Sequence, residues 1–399
     1  MKYFLIHPLL FVLTISTVVA QKGGIAFRPE PIDAVFAAAR KANKPVFVEI
    51  YSPTCHVCQS FMPTLADSRV GKFYNAKFLN TKVDLMNKAT QAWLSSRKLY
   101  VPSLPLFLYF DPQQNLVHMA MSNNSADEVI RHATQALDPT ARSQNYRQRF
   151  ANGDRNPNFL IDYAMLGKVT TDTVANLKAM EQYARQQPVS QLSSQTNWLV
   201  LQKLVMDMDN PLAQNLINNI GQYKAFGADE PRTVAENILM STLYSGRGMQ
   251  FPANKVVQVR TGLVKIGIDP KVAANRTLLP EVNAYFRARQ TGKAVSRMDS
   301  QTSNFPMSAA EYVYISRLFN KQSPDPSDVP TVSKWIAKAL ATNKATIQEQ
   351  ADLYYELAAA QQRGGKKGDA QKAAQKALEL AKAAKIDTKR NIKQLAEIR

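Results

Sequence analysis

The run Val46-Phe47-Val48-Glu49-Ile50-Tyr51 is followed, after three residues, by Cys55-His56-Val57-Cys58, and these two cysteines are the only ones among 399 residues. A strand that is apolar almost throughout is one buried on both faces of a sheet. It therefore sets the middle of a core and delivers the cysteine pair to the start of the next element. Beyond Cys58 the spacing of Phe61, Leu65 and Val70 predicts a helix, with Pro63 inside it and able to kink it. At the first turn of a helix the unpaired backbone N–H groups and the helix dipole favour a thiolate, the form of cysteine that attacks disulfides. A zinc site would need four ligands; beyond the leader only His56, His118 and His132 are available and no second C-x-x-C exists, so no metal and no cofactor are expected. A purely structural disulfide closing so short a loop would constrain the unfolded chain little. The pair reads as a redox disulfide, Cys55 with Cys58.

The compartment follows from the other end of the chain. Lys2 precedes an apolar stretch over residues 3–19, and Val18-Val19-Ala20 offers small residues where a signal peptidase reads. Residues 1–20 are expected to be a signal peptide with Gln21 as the mature start; the alternative is an uncleaved anchor. No later segment is apolar and long enough to span a bilayer. An exported protein meets oxidising conditions, yet this one carries no distant cysteine pairs, so its stability must come from core burial. Export to a bacterial periplasm is the expectation, with extracellular release as the alternative.

With Lys and Arg at 50 against 31 Asp and Glu, the formal charge is +19. The basic residues are dispersed and not interleaved with aromatics, and the densest stretch, 366–399, reads as an amphipathic helix with a solvated face. Nucleic acid is therefore not an expected partner; acidic partners or an anionic surface suit the charge better.

Along residues 21–138 the pattern reads helix (31–43), strand (46–51), helix from Cys55, strand (78–85), helix (88–99), two strands (106–110 and 116–121) around the turn Asp111-Pro112-Gln113-Gln114-Asn115, and a last helix capped by Ser125 and closed by Asp138-Pro139. In this order and in four positions the segment resembles the thioredoxin family. Glu49 lies six residues before Cys55, where thioredoxins usually keep a buried Asp. Pro63 lies five after Cys58, at the helix-kinking proline. Asp84 in Thr81-Lys82-Val83-Asp84 resembles the third-strand signature, and Val101-Pro102-Ser103-Leu104-Pro105-Leu106 looks like the loop in which a cis proline precedes a core strand.

The resemblance implies an α/β thioredoxin fold, a central mixed sheet flanked by helices, and assigns roles. Cys55 is the nucleophile and Cys58 resolves the mixed disulfide. Glu49, with burial raising its proton affinity, transfers a proton to or from Cys58; a hydrated or Lys-paired strand acid is the other reading. Pro105, with Pro102 as competitor, places the Leu104 backbone where an extended substrate can pair with it. His56 is in the first position between the cysteines and not the second, as in the disulfide isomerases and periplasmic oxidases. Their oxidising behaviour does not carry over, although an imidazolium there would still stabilise the Cys55 thiolate. Thr54 and Val57 stand where thioredoxins usually have Trp and Pro, which leaves the substrate-facing surface and the redox potential open.

Strand signals nearly vanish in residues 139–399. The pattern predicts a row of helices, with residues 290–304 as a long polar loop. The last two helices, about 347–384 around Gly364-Gly365, resemble a tetratricopeptide-like hairpin in which Tyr354, Leu357 and Ala358 meet Ala373, Ala374 and Leu378. Such an array, read as degenerate helical repeats, offers a docking surface for a protein partner. Two functions remain: an exported thiol–disulfide oxidoreductase acting on protein thiols and disulfides with an unidentified redox partner, or a non-catalytic interaction protein that uses the first domain as a scaffold.

Overall fold

The computed structural model describes residues 23–342 and 344–398. The expected signal peptide and cleavage point lie outside the described residues. The chain divides into two compact units, one reaching Gln186 and one beginning at Gln187.

The first unit runs β1 (Phe27–Arg28), α1 (Ile32–Ala42), β2 (Val46–Tyr51), α2 (His56–Leu65), α3 (Ser68–Lys77), β3 (Leu79–Asp84), α4 (Lys88–Ser96), β4 (Leu106–Phe110), β5 (Leu116–Ala120), α5 (Ala126–Leu137), α6 (Tyr146–Ala151), α7 (Pro157–Val169) and α8 (Thr173–Arg185). Its sheet is mixed, in the order β1-β3-β2-β4-β5. β1 and β2 run parallel to β3, whereas β4 is antiparallel to both β2 and β5. β2 is thus central, as its apolar run requires.

Period-two alternation divides the core into two layers. Val46, Val48 and Ile50 point with Leu106, Leu108 and Phe110 toward Phe36 on α1 and Trp93 on α4. Phe47 points with Phe107 and Tyr109 to the other face, against Phe61, Leu65, Val70, Tyr74 and Val129 of α2, α3 and α5. The aromatic packing there is dense: Phe47 meets Tyr74 edge-on at 4.8 Å between centroids, and the Tyr74 and Tyr109 hydroxyls lie 2.7 Å apart. By the same parity Glu49 belongs to the face that carries α2.

The helix expected to continue through Val70 is instead broken. α2 stops at Leu65, and Asp67 starts α3 by accepting the Arg69 and Val70 N–H groups at 2.7 and 3.3 Å. An Asp cap one turn after a proline offers the chain a cheaper continuation as a new helix. The short edge strand β1, absent from the sequence reading, is held through Ile25 N–H to Leu65 O at 2.9 Å and Ala26 N–H to Asn75 Oδ1 at 2.8 Å. The unit also runs past residue 138, where the sequence reading ends it. Val169 of α7 sits in the sheet core, and its carbonyl accepts Tyr100 N–H at 2.8 Å.

Among the described residues the second unit is helical: α9 (Gln195–Lys203), α10 (Pro211–Asn218), α11 (Glu230–Tyr244), α12 (Ala253–Lys265), α13 (Pro270–Arg276), α14 (Leu278–Arg287), α15 (Thr291–Asn304), α16 (Ala309–Gln322), α17 (Val329–Ala341), α18 (Ile347–Arg363), α19 (Lys367–Ala383) and α20 (Lys389–Ile398), with short 3-10 turns between some of them. The loop expected at 290–304 is corrected to helix α15. Its polar composition hides a buried stripe, Thr291, Ala294, Met298 and Gln301, at helical spacing, and Trp335 Nε1–H donates to Asp299 at 2.9 Å. The α18/α19 hairpin closes as expected over Tyr354, Leu357, Ala358, Ala373 and Ala374, joined by Leu395 and Ile398 of α20 and not by Leu378. Buried ion pairs tie the array together: Glu281 accepts from Arg260 and Arg297 at 2.5 and 2.7 Å, and Asp328 takes both guanidinium nitrogens of Arg363 at 2.8 and 2.9 Å. Among the described residues no helix is long and apolar enough to cross a membrane.

Candidate active site

The site grows from the C-terminal end of β2. After Tyr51 the chain turns through Ser52-Pro53-Thr54, fastened by Cys55 N–H to Ser52 O at 3.1 Å and by the Ser52 and Thr54 hydroxyls at 3.1 Å. Cys55 is then the N-cap of α2 in extended conformation, and its Sγ accepts the Cys58 N–H at 3.3 Å. A sulfur in the capping position takes the role a Ser or Asp oxygen usually has, facing the orphan donors of the first turn. Both cysteines are free thiols, Cys55 half-buried and Cys58 only 5% exposed.

Cys58 and Glu49 meet at one cavity. It has a volume of about 750 Å³ and is bordered by Ile25, Phe27, Tyr51, Met62 and Leu65, with Cys58, Glu49 and Lys82 among its polar lining. Glu49 is 4% exposed. Burial pushes its carboxyl up to about 7, opposed only by the charge of Lys82. Lys82 lies directly opposite Glu49 in the parallel β2/β3 register, and its ammonium sits 5.4 and 5.2 Å from the Phe27 and Tyr51 ring centres. Burial pushes the Cys58 thiol up to about 12, reinforced by its hydrogen bond with Cys55 and by the Cys55 and Glu49 charges, while a hydrogen bond from the Ser52 backbone works against them.

The other residues singled out in the sequence lie as follows. His56, the first residue of α2, is exposed, as is Val57 at 55%. The Leu104–Pro105 peptide bond is cis, whereas Pro102 does not follow one. Pro105 is buried and immediately precedes β4, whose Leu106 pairs with Ile50, so it stands at the end of the sheet from which the cysteine loop leaves. His118 and His132 are drawn away from the cysteines onto β5 and α5, with ring centres 6.1 Å apart. Among the described residues no group of three or more His, Cys, Asp and Glu side chains is placed to hold a metal.

Sequence reasoning gave Lys82, Phe27, Tyr51 and Met62 no role in the site. Lys82 was within reach, because sliding the apolar patterns of β2 and β3 into parallel register sets it beside Glu49. Phe27 and Met62 were not, since nothing local tells an exposed Met or a two-residue strand that it will wall a cavity. No protein-family model matches this chain, and no curated protein matches it.

Proposed function

We propose that the first unit is a thioredoxin-type domain and that the protein is an exported thiol–disulfide oxidoreductase with Cys55 as nucleophile and Cys58 as resolving cysteine. The observation that carries this reading is the asymmetry of the pair: one sulfur half-buried at a helix N-cap, the other buried in a cavity wall with an acid at its side. The strand order, with two parallel and two antiparallel pairings and a central strand leading to the cysteines, supports the fold assignment.

In the forward direction the Cys55 thiolate attacks a substrate disulfide, forming a mixed disulfide and expelling one substrate thiolate, which takes a proton from solvent. That step removes the negative charge on Cys55 and its hydrogen bond, two of the influences that hold the Cys58 proton. Glu49, whose proton affinity is matched to neutral pH, then accepts that proton. The Cys58 thiolate attacks Cys55 Sγ, the Cys55–Cys58 bond forms, and the second substrate thiolate leaves. The segment 104–105 is proposed to offer backbone to an extended substrate beside Cys55, with His56 at its edge. The helical unit is proposed to dock a partner protein.

Trapping tests the roles. Cys58→Ser should accumulate mixed disulfides through Cys55, and Cys55→Ser should accumulate almost none; equal trapping by both variants would refute the assignment. The direction of electron flow is read by equilibrating the pair with glutathione. A potential near −270 mV indicates a reductase and one near −120 mV an oxidant, on the scale of roughly 150 mV that separates known members. A pair that never cycles leaves the scaffold role.

A further inference from the structure

The cavity beside Cys58 has more than a proton to accommodate. Its volume, about 750 Å³, lies within the range of small-molecule sites. Its wall is preformed, because the segment through Gly24 and Ile25 is pinned by Ile25 N–H to Leu65 O and by Asn75 Nδ2 to Gly24 O at 3.0 Å. Most of that wall is apolar: Ile25, Phe27, Met62, Leu65 and the Tyr51 ring. At the base is a carboxyl group 4% exposed to which no described protein group donates a hydrogen bond. The carboxyl opens onto the cavity, so an occupant with a hydrogen to donate can reach it at the foot of the apolar cleft.

We propose that this cavity binds a small, uncharged amphipathic molecule, an aromatic or branched aliphatic body carrying a hydroxyl or primary amide whose hydrogen donates to Glu49. The charge follows from the neighbours. Lys82 already holds a positive charge over the Phe27 and Tyr51 rings, so a cationic ligand meets repulsion there. An anionic ligand drawn by Lys82 meets the Glu49 carboxyl, which its charge would repel when ionised, so neither sign of ion is matched by both groups. A neutral donor escapes both. Because Cys58 lines the same cavity, an occupant would also cover the resolving sulfur and its acid; this second half rests on the redox reading above.

p-Cresol, toluene, benzylammonium and benzoate serve as probes of the full-length protein, followed by the NMR shifts of the Met62 ε-methyl and Ile25 δ1-methyl groups. p-Cresol should bind at least about tenfold more tightly than toluene, the worth of one hydrogen bond to a buried acceptor, and more tightly than either ion. In Glu49→Leu, a replacement of similar volume, the cresol and toluene affinities should converge. In Met62→Ala, an exposed wall position that folding tolerates, both should weaken together. Absence of saturable shifts up to about 10 mM, equal affinity of p-cresol and toluene in the unaltered protein, or tighter binding of benzylammonium overturns the site or its ligand class. The regulatory half is read with 5,5′-dithiobis(2-nitrobenzoate). Cys55 releases the first nitrothiolate, and Cys58, on closing the disulfide, releases the second. p-Cresol should slow the second release and leave the first unchanged. Saturable binding with both releases unchanged keeps the site and refutes its coupling to Cys58; absence of a second release altogether refutes the redox reading, while the methyl shifts still decide the site.

Discussion

Glu49 should make the first unit less stable as pH rises through neutrality, and the sign follows from its environment. Burial raises its carboxyl from an ordinary 4.5 to about 7 in the folded protein. Between those values the folded state holds a proton that the unfolded state has released, so stability falls with rising pH at about 1.4 kcal/mol per unit. Over pH 4.5 to 7.5 the loss comes to about 3 kcal/mol. His118 and His132 act in the opposite sense. Burial first, then the positive charges around them, depresses them from 6.5 to about 3 and about 4, so their contribution falls as pH drops. The raw pH profile therefore mixes both signs, and the difference between the unaltered protein and Glu49→Gln isolates the acid. Amide exchange of the β2 segment, residues 46–51, reports unfolding of this unit alone, and intrinsic exchange cancels between variants compared at one pH. The stability of Glu49→Gln relative to the unaltered protein should rise by about 3 kcal/mol between pH 4.5 and 7.5. A difference flat within about 0.5 kcal/mol, or a change of opposite sign, refutes the placement of Glu49 as a buried acid without a hydrogen-bonded partner.

His118→Phe should relieve part of the acid loss, leaving the first unit about 3 kcal/mol more stable relative to the unaltered protein at pH 4 than at pH 7.5, as measured by the same exchange. Gly71→Ala should destabilise by about 2 kcal/mol or more. A Cβ at Gly71 would stand 2.4 Å from the Gly24 backbone, so exchange at Ile25 should accelerate most. Asp328→Ala should cost about 3–5 kcal/mol by stranding Arg363, in a urea melt followed by tryptophan fluorescence in a Trp93→Phe background, where only Trp198 and Trp335 of the second unit remain; a cost below about 1 kcal/mol would contradict the buried pair. Cys58→Ser should trap mixed disulfides and Cys55→Ser should not, as read on non-reducing gels.

How much of this was legible without coordinates depended on the range of the interactions involved. The central strand showed in its apolar run, since burial on both faces leaves no polar alternation to confuse the period. The arrival of the Cys pair at a helix start and the Gly364-Gly365 hairpin showed as well, because turn and cap chemistry is carried by neighbouring residues. Helix α15 was misread because its buried stripe is made of Thr, Ala, Met and Gln, whose burial comes from α14 and Trp335 and not from their own hydrophobicity. The break between α2 and α3 turned on a contest between Pro63 and the Asp67 cap that local propensity leaves balanced.

The candidate site divides along the same line. Sequence alone determined that the chain has one cysteine pair, that it follows a buried strand, and that an acid sits on that strand. Only the tertiary structure decided that Glu49 faces α2 and not the opposite layer, that Lys82 comes to rest between Phe27 and Tyr51, and that Gly24 and Ile25 wall a cavity reaching Cys58. Spacing along a chain specifies which backbone donors and turns are available within a few residues. Which distant side chains share one low-dielectric space, and hence which acid keeps its proton near pH 7, depends on strand register and helix packing, which are set by the whole core at once.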